Sequence, residues 1–424
     1  MIRLIEALNF RSLRSVRIDL ADFQILIGPN ASGKTTLFDV VAFLGDLLSR
    51  DLIWAITNRV RNIQELFHYG QGDRFELAVE MRIPEERRRL LGPDSAFETA
   101  RYEIAVGFDE AANEYQFFGE QLWLLEECAR PARPTRSMFP MSVAPPQSIL
   151  RSSGRQRGTK LVLRKKPGGN DNFYSETSSR KGKGGWAPSI RLGPRKSGLA
   201  NLPDDESKFP VTTWLRETLV KGTQKLVLNS LALRKPSAPG QGLLFSPDGS
   251  NLPWVIQELK EKNPERLRMW IEHLQTALPD LLDVATSDNQ DTRDRYLQVQ
   301  YRGGYQVPSW NVSDGTLRML ALTLPAYLPD FAGVYLIEEP ENGIHPKAME
   351  TVYQALRSAG DRAQILTATH SPVLLACAEL KEMLCFKKDK AGATDIVAGH
   401  EHPALKAWKG TVSLANLYAS GVLG

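Results

Sequence analysis

Cysteine is scarce in this sequence, with three in 424 residues: Cys128, Cys377 and Cys385. Three thiols build no disulfide framework, and their spacing makes no metal site. Such usage fits a reducing cytosol. Long apolar runs are missing as well. No stretch approaches the ~18 residues that span a bilayer, and the opening MIRLIEALNFRSL lacks the apolar core of a secretory signal. The expected location is therefore cytoplasmic, and a transport role would require separate membrane subunits. Heptads long enough for a coiled coil are absent, and no internal repeat recurs.

What is present is the composition of a soluble globular chain, 42% hydrophobic and 24% charged, long enough for about two to three domains. The net charge of +4 conceals an asymmetry. Residues 151–200 hold 13 Lys/Arg against 2 Asp/Glu, so the rest of the chain sums to −7. A basic stretch on a mildly acidic body suits a polyanion, although a dock for an acidic partner and a solvated loop have the same composition. Tyr174 and Trp186 lie within it and are available for stacking on bases.

Apolar spacing predicts two strands in residues 1–27, one opening with Ile2, Leu4 and Ile5 and one at Phe23–Ile27. A helix follows over Lys34–Leu48. Alternation predicts antiparallel strands at 75–83 and 101–108, with Gln116–Leu125 as a third. Residues 129–250 are rich in Pro, Gly, Ser, Arg and Lys and read as an inserted small domain or arm. Helical character returns at Pro210–Leu219, Leu226–Leu233 and Asn251–Leu278, and Tyr296–Tyr301 is a strand. From Ser313 the pattern alternates: helix 313–328, strand 334–337, helix 346–358, strand 364–368, helix 372–378. Alternation of this kind predicts parallel strands joined by crossover helices.

Three motifs carry chemistry. Gly28-Pro29-Asn30-Ala31-Ser32-Gly33-Lys34-Thr35 matches GxxxxGK[ST] in full, between a strand and a helix. Its glycines let backbone N–H groups curl around phosphates, Lys34 reaches the β- and γ-phosphates, and the Thr35 hydroxyl is a Mg²⁺ ligand. Val334-Tyr335-Leu336-Ile337-Glu338-Glu339 delivers two carboxylates at a strand end. Glu338 is the metal-side acid and Glu339 the general base. Thr369-His370-Ser371-Pro372 follows the next strand, which makes His370 a candidate γ-phosphate sensor. His345 either crosses a dimer interface or caps the helix from Pro346.

Together these residues resemble an ABC-type ATPase of the SMC/RecF/OLD-like group, over roughly residues 1–110 and 240–380. The resemblance implies an α/β fold: a P-loop head with a mixed sheet, an antiparallel β part and an inserted basic and helical region. The expected segments are an N-terminal lobe at 1–128, the insert at 129–240 and a C-terminal lobe at 241–424. Asn9-Phe10-Arg11-Ser12 resembles the family's N-terminal strand motif, whose Arg and Ser approach the nucleotide. Pro29, Asn30, Ala31, Ser32 and Thr36 join the nucleotide contacts. Gln71 sits near the family's Q-loop glutamine, a nucleotide and metal contact, with Gln64 as the rival. Asn311-Val312-Ser313-Asp314-Gly315-Thr316 resembles the signature motif, although Asp314 and Thr316 depart from its commonest form. There, Ser313 and Gly315 would bind the γ-phosphate of ATP held by the opposite subunit, with Arg318 following on the same helix. Ser246–Leu252 resembles a helix entry of the RecF/OLD-like branch.

The cofactors implied are ATP and Mg²⁺, and the first partner is a second copy, in a homodimer or higher oligomer. Only about 280 residues separate Lys34 from Ser313, too few for a chromosome tether. Glu379, Glu382, Asp389, Asp395 and Glu401 form no strand-end cluster of the nuclease kind. The expectation is an ATPase switch that controls a separately encoded effector, a nuclease or toxin, in anti-phage defence. The alternative is a RecF-like repair ATPase that binds nucleic acid through Arg151–Lys196.

Overall fold

The computed structural model describes residues 1–93, 95–127, 136, 138–152, 156–177, 188–203, 205–242, 244–405, 408 and 412–423. The chain divides into two compact units, each discontinuous in sequence. Residues 1–21, 28–223 and 384–406 make the first, and residues 22–27, 224–383 and 407–424 the second. These boundaries differ from the three consecutive segments expected from composition.

The first unit is built on an eight-stranded sheet. Its strands are β1 (Ile2–Phe10), β2 (Leu13–Asp19), β4 (Arg74–Arg82), β5 (Thr99–Asp109), β6 (Glu114–Leu125), β7 (Thr159–Lys165), β8 (Asp171–Phe173) and β9 (Ser189–Ile190). They lie in the order β2-β1-β4-β5-β6-β7-β8-β9 and every pairing is antiparallel. Helix α1 (Lys34–Ser49) buries Leu37, Val40, Val41, Phe43, Leu44 and Leu48, a stripe at helical period. Phe43 meets Phe75 of β4 edge-on at 5.3 Å, and Phe10 of β1 lies 5.1 Å from the same ring. Such aromatic pairs add about 0.5–1.5 kcal/mol each beyond the area they bury. Two short helices follow, α2 (Leu52–Thr57) and α3 (Glu85–Arg89). Helix α4 (Pro210–Val220) approaches α1 where Gly45 has no side chain, since a Cβ there would lie 2.7 Å from the Leu219 carbonyl oxygen. Strands β16 (Met383–Lys388) and β17 (Thr394–Ala398) form an antiparallel hairpin.

The second unit holds the parallel strands. Strand β3 (Phe23–Ile27) pairs with β15 (Gln364–Ala368), and β15 pairs with β14 (Val334–Glu338). Strand β10 (Thr223–Leu226) lies beside β14. The crossover from β14 to β15 runs through α9 (Met349–Ala359), as the alternating pattern predicts. Helices α5 (Ser230–Arg234), α6 (Leu252–Lys262), α7 (Pro264–Gln275), α8 (Asp314–Thr323), α10 (Pro372–Cys377) and α11 (Leu414–Ala419) also belong here, as does an antiparallel sheet of β11 (Leu281–Asp288), β12 (Arg295–Tyr301) and β13 (Tyr305–Pro308). Trp270 of α7 is fully buried and donates its indole N–H to Thr323 Oγ1 at 2.8 Å.

Three differences from the sequence reading have physical causes. Residues 1–27 contain three strands, because β1 turns back at Arg11 (φ 50°) with no glycine or proline to mark the turn. The Leu226–Leu233 helix begins only at Ser230, where the Asn229 side chain accepts from the N–H groups of Leu231 and Ala232 and so caps it. Within 129–240, β7, β8 and β9 continue the large sheet of the first unit, whereas residues 224–240 belong to the second.

Buried carboxylates fix the region of β7, β8 and β9. Glu120, fully buried on β6, accepts from the Tyr102 and Ser197 hydroxyls and from the N–H groups of Gly198 and Leu199. Asp171 pairs with Lys165 at 2.7 Å. Glu176 accepts from the N–H groups of Val211 and Thr212 at the start of α4. Burial pushes the Glu176 carboxyl up to about 7, against the hydrogen bonds that favour its charged form. Below about pH 4.5 folded and unfolded chains both carry this proton; above about 7 neither does. Between those limits only the folded chain holds it, so stability falls as pH rises across that window, by about 3 kcal/mol. Glu176→Gln should therefore flatten the stability loss between pH 5 and pH 8, as read from denaturant melts. An unchanged pH slope in the variant would refute the assignment.

Candidate functional site

In the first unit the Gly28–Thr35 loop follows β3 directly and opens α1. Its backbone curls through left-handed conformations at Gly28 (φ 148°), Ala31 (φ 60°) and Gly33 (φ 105°). Consecutive turns of this kind gather N–H groups into a concave anion cradle. Gly33 is also the N-cap of α1 and offers no side-chain cap, so the first N–H groups of a 16-residue helix remain for a ligand. Side chains cannot replace the glycines. A Cβ on Gly33 would sit 2.5 Å from Thr394 Oγ1 and 2.9 Å from Ser12 Oγ, and one on Gly28 would sit 2.3 Å from the Phe386 carbonyl oxygen. Lys34 is buried, and its ammonium donates to the carbonyls of Gly28 (2.7 Å) and Pro29 (3.0 Å). Thr394 Oγ1 donates to the Ser32 carbonyl, while Ser32 Oγ is buried without a hydrogen-bond partner. Pro29, Asn30, Ala31 and Thr35 are exposed, and Thr36 Oγ1 lies 3.5 Å from Ser12 Oγ. Glycine conformation, an uncapped helix start, a lysine and two threonines are the donor set that polyphosphate requires.

Arg11 and Ser12 line a cleft of about 500 Å³ with Gln64, Tyr69 and Lys388. Arg11 pairs with Asp39 at 3.3 Å, and Arg59 holds the other carboxylate oxygen at 2.6 Å. Gln71 lies elsewhere: it lines a different cleft of about 250 Å³, and its carbonyl accepts from Asn9 Nδ2. The structure thus brings Gln64, the rival, to Arg11 and Ser12. It gives no support to Gln71 as a nucleotide or metal contact.

In the second unit Glu338 is the last residue of β14. Its Oε2 lies 3.1 Å from the Lys225 ammonium, and its Oε1 is buried without a hydrogen-bond partner. A buried, unpartnered carboxylate oxygen is costly unless a cation or water meets it, so the residue suits the metal-side role. Glu339 is exposed and held in the left-handed region (φ 47°), its N–H donating to the Ala368 carbonyl at 2.8 Å. Strain of this kind, about 1–3 kcal/mol, clusters at functional positions. Asn342 Nδ2 donates to Glu339 Oε2 at 2.6 Å and orients it. Glu341 Oε1 accepts from the Thr369 hydroxyl (2.8 Å) and the His370 N–H (2.9 Å). The His370 ring meets Tyr418 at Nδ1, 2.9 Å from the phenol oxygen.

The signature residues stand close by in the same unit. Ser313 caps α8 by accepting from the Thr316 N–H. Asp314 pairs with Arg234 at 2.7 Å, and Arg318 donates to the Leu228 carbonyl. A Cβ on Gly315 would lie 2.4 Å from the Gly343 carbonyl oxygen, so the first turn of α8 touches the loop that follows Glu339. His345 caps the turn at Pro346, accepting from the Lys347 N–H at 3.2 Å.

Sequence reasoning missed Lys225, Glu341, Asn342 and Tyr418 as site residues. Glu341 and Asn342 sat in plain view in Glu338-Glu339-Pro340-Glu341-Asn342, whereas Lys225 and Tyr418 carry no local signal. The acids near the C-terminus have structural partners: Glu379 and Glu382 form a capping box, and Asp395 holds Arg136 and the Met141 N–H. Within the basic stretch, Arg157, Lys166, Arg191, Arg195 and Lys196 are exposed, while Lys165 and Lys160 turn inward to Asp171 and the Glu176 carbonyl. Tyr174 is exposed; Trp186 and Cys128 lie outside the described residues. No helix among the described residues is long and apolar enough to cross a membrane.

Comparison with known proteins agrees with this geometry. Residues 23–376 match the family model described as "AAA domain, putative AbiEii toxin, Type IV TA system". A 77-residue stretch, 17% of the chain, is 40% identical to the DNA replication and repair protein RecF of Vibrio campbellii, of which it spans only 21%. An Smc head bound to the C-terminal winged-helix domain of ScpA shares the fold with a TM-score of 0.54 and 13% identity, over 93% of this chain and 96% of that one. An Smc head with an extended coiled coil, bound to the C-terminal domain of ScpA derived from Pyrococcus furiosus, matches over 100% and 98% with a TM-score of 0.52 and 11% identity.

The cradle geometry yields a direct test. Gly33→Ala forces a Cβ against Thr394 and Ser12 and strains φ, at about 1–3 kcal/mol for the backbone alone. Binding of a fluorescent ATP analogue should weaken by about tenfold to a hundredfold. Undiminished affinity would show that the loop does not hold phosphate in this conformation.

Proposed function

The chain belongs to this AAA-domain family and is an ATPase of the SMC/RecF type; from that premise we propose that it is a nucleotide-driven switch, closing with a second copy when ATP binds and opening when ATP is hydrolysed. The observation that carries the reading is Glu339, held in a left-handed conformation at the end of a parallel strand, with Asn342 fixing its carboxylate.

Each residue has a stated task. Loop N–H groups and Lys34 bind and orient the phosphates, so that little motion is needed at the moment of transfer. Glu339 accepts a proton from the attacking water. His370 donates to the γ-phosphate and senses whether it is present. Thr35 and Glu338 would hold Mg²⁺, which when bound draws charge from the phosphate oxygens. Ser313 and Gly315 serve the nucleotide of the other copy, which makes ATP binding and assembly one event.

The output of the switch is a separately encoded effector, a nuclease or toxin, in defence against phage. One observation supports this: the family's own description refers to a toxin–antitoxin system. A second reading, a RecF-like repair ATPase, draws on the 77-residue likeness to RecF and the exposed cations from Arg157 to Lys196. ATP-dependent, salt-sensitive binding to gapped DNA would favour it, and no DNA binding at low salt would exclude it.

Glu339→Gln should bind ATP with affinity within about threefold of wild type and lose turnover by about 10²–10⁴-fold. The variant should accumulate as a closed assembly in light scattering with ATP, whereas Lys34→Ala should neither bind nor assemble. Normal hydrolysis by Glu339→Gln would refute the base assignment, and a chain that stays monomeric with ATP in every variant would sink the switch.

A further inference from the structure

The two oxygens of Glu338 have unlike surroundings. Oε1 is buried without a hydrogen-bond partner, whereas Oε2 faces the Lys225 ammonium at 3.1 Å. The lysine comes from β10, the strand beside β14, and its side chain is partly exposed. The pair is loose. Lys165 meets Asp171 at 2.7 Å, and Lys262 meets Glu258 at 2.6 Å; charge-assisted contacts of this kind normally close to about 2.7–2.9 Å. Next to Glu338 lies a cleft of about 290 Å³, lined by Leu228, Arg318, Glu338, Glu339 and Asn342 among others. Arg318 gives a donor to the Leu228 carbonyl. The cleft therefore has room for a hydrated ion beside two carboxylates.

A partly exposed lysine pair adds little to stability. Its charge has a larger consequence. A carboxylate oxygen can be met by an ammonium or by a divalent cation, and two cations held within a few ångströms on one carboxylate repel each other. We propose that Lys225 is a positioning residue that acts as a placeholder cation. It balances and orients Glu338 while no metal is bound, swings away when Mg²⁺ arrives, and so sets the Mg²⁺ concentration at which the site fills. This rests on reading Glu338 as the metal-side acid. The lysine is suited to the task, because its compact charge rides on a flexible four-carbon stem and is readily taken over by water. The sign of the effect is the distinctive feature: removing the ammonium should tighten metal binding, whereas damage to the fold or loss of a phosphate contact would weaken it.

The test titrates Mg²⁺ into the full-length chain at saturating ADP, where no turnover occurs, and reads the melting temperature at each concentration. Lys225→Met keeps the stem and removes the charge; it should lower the half-saturating Mg²⁺ concentration about tenfold. Lys225→Arg keeps the charge and should stay within about twofold of wild type. Glu338→Gln should raise the requirement about tenfold, and adding Lys225→Met to it should bring no gain. An unchanged or raised Mg²⁺ requirement in Lys225→Met would overturn the proposal, as would a full gain in the Glu338→Gln background. The two readings fail in different ways. If Glu338→Gln shifts the requirement and Lys225→Met does not, the placeholder alone is wrong. If Glu338→Gln leaves the requirement unchanged, Glu338 is not the metal-side acid and both readings fall.

Discussion

Strands β14, β15 and β3 pair in level register, Glu338 with Ala368 and Ala368 with Leu26. All three run the same way, so their C-terminal ends share one edge, the edge at which open parallel sheets present ligands. The residue after β3 opens the phosphate loop, the residue after β14 is Glu339, and two residues beyond β15 is His370. A slip of one residue in any pair would turn a side chain to the opposite face. Hydrogen bonds beyond the strand ends reinforce the register: Glu339 donates to the Ala368 carbonyl, and Thr369 to that of Leu26. The pairing of β3 with β15 thus joins segments more than 300 residues apart, and no local stretch of sequence could establish it alone.

The large sheet is held by a different kind of contact. Glu103, Glu120, Asp171 and Glu176 are buried, and each accepts from backbone N–H groups, hydroxyls or a buried cation. Arg101 lies among Glu6, Glu80 and Glu103, within 2.5–3.1 Å of each. Charges taken out of water at such density are tolerated only when their partners are complete. They then fix the segments that cross the sheet face, since losing any one partner would leave a buried charge uncompensated. Irregular stretches are ordered here by these acceptors together with a few buried apolar side chains such as Phe173, Leu199 and Phe209.

This contrast explains what the sequence disclosed. The parallel unit was legible because its strands are apolar and its helices amphipathic, and both patterns survive in one dimension. The phosphate loop, the acid pair and His370 were legible because each motif is contiguous. The order of residues 159–209 was not legible from composition, because the groups that hold Gly198, Leu199 and Val211 are Glu120 and Glu176, acids on distant segments. Gln71 was placed by the family resemblance, which cannot tell that Gln64 lines the cleft with Arg11 and Ser12 while Gln71 lines another. Lys225 and Tyr418 each meet a motif residue from more than 45 positions away, beyond the reach of any periodicity.

The loop from Glu338 to His345 ties the motif residues of this unit together. Glu339, proposed as the base, is followed two residues later by Glu341, which grips the turn that carries His370. Gly343 then brings its carbonyl against Gly315 at the head of α8, so closely that only glycine fits. Glu339, His370 and helix α8 are thus tied through one short segment whose backbone is left-handed at Glu339 and Gly343. A displacement of α8 must be met by Gly343, and one of His370 by Glu341. Packed contacts of this kind respond by switching between arrangements more readily than by deforming smoothly. If a second copy engages α8, as proposed, the contact of Gly315 with Gly343 would carry that engagement toward Glu339 within the same unit.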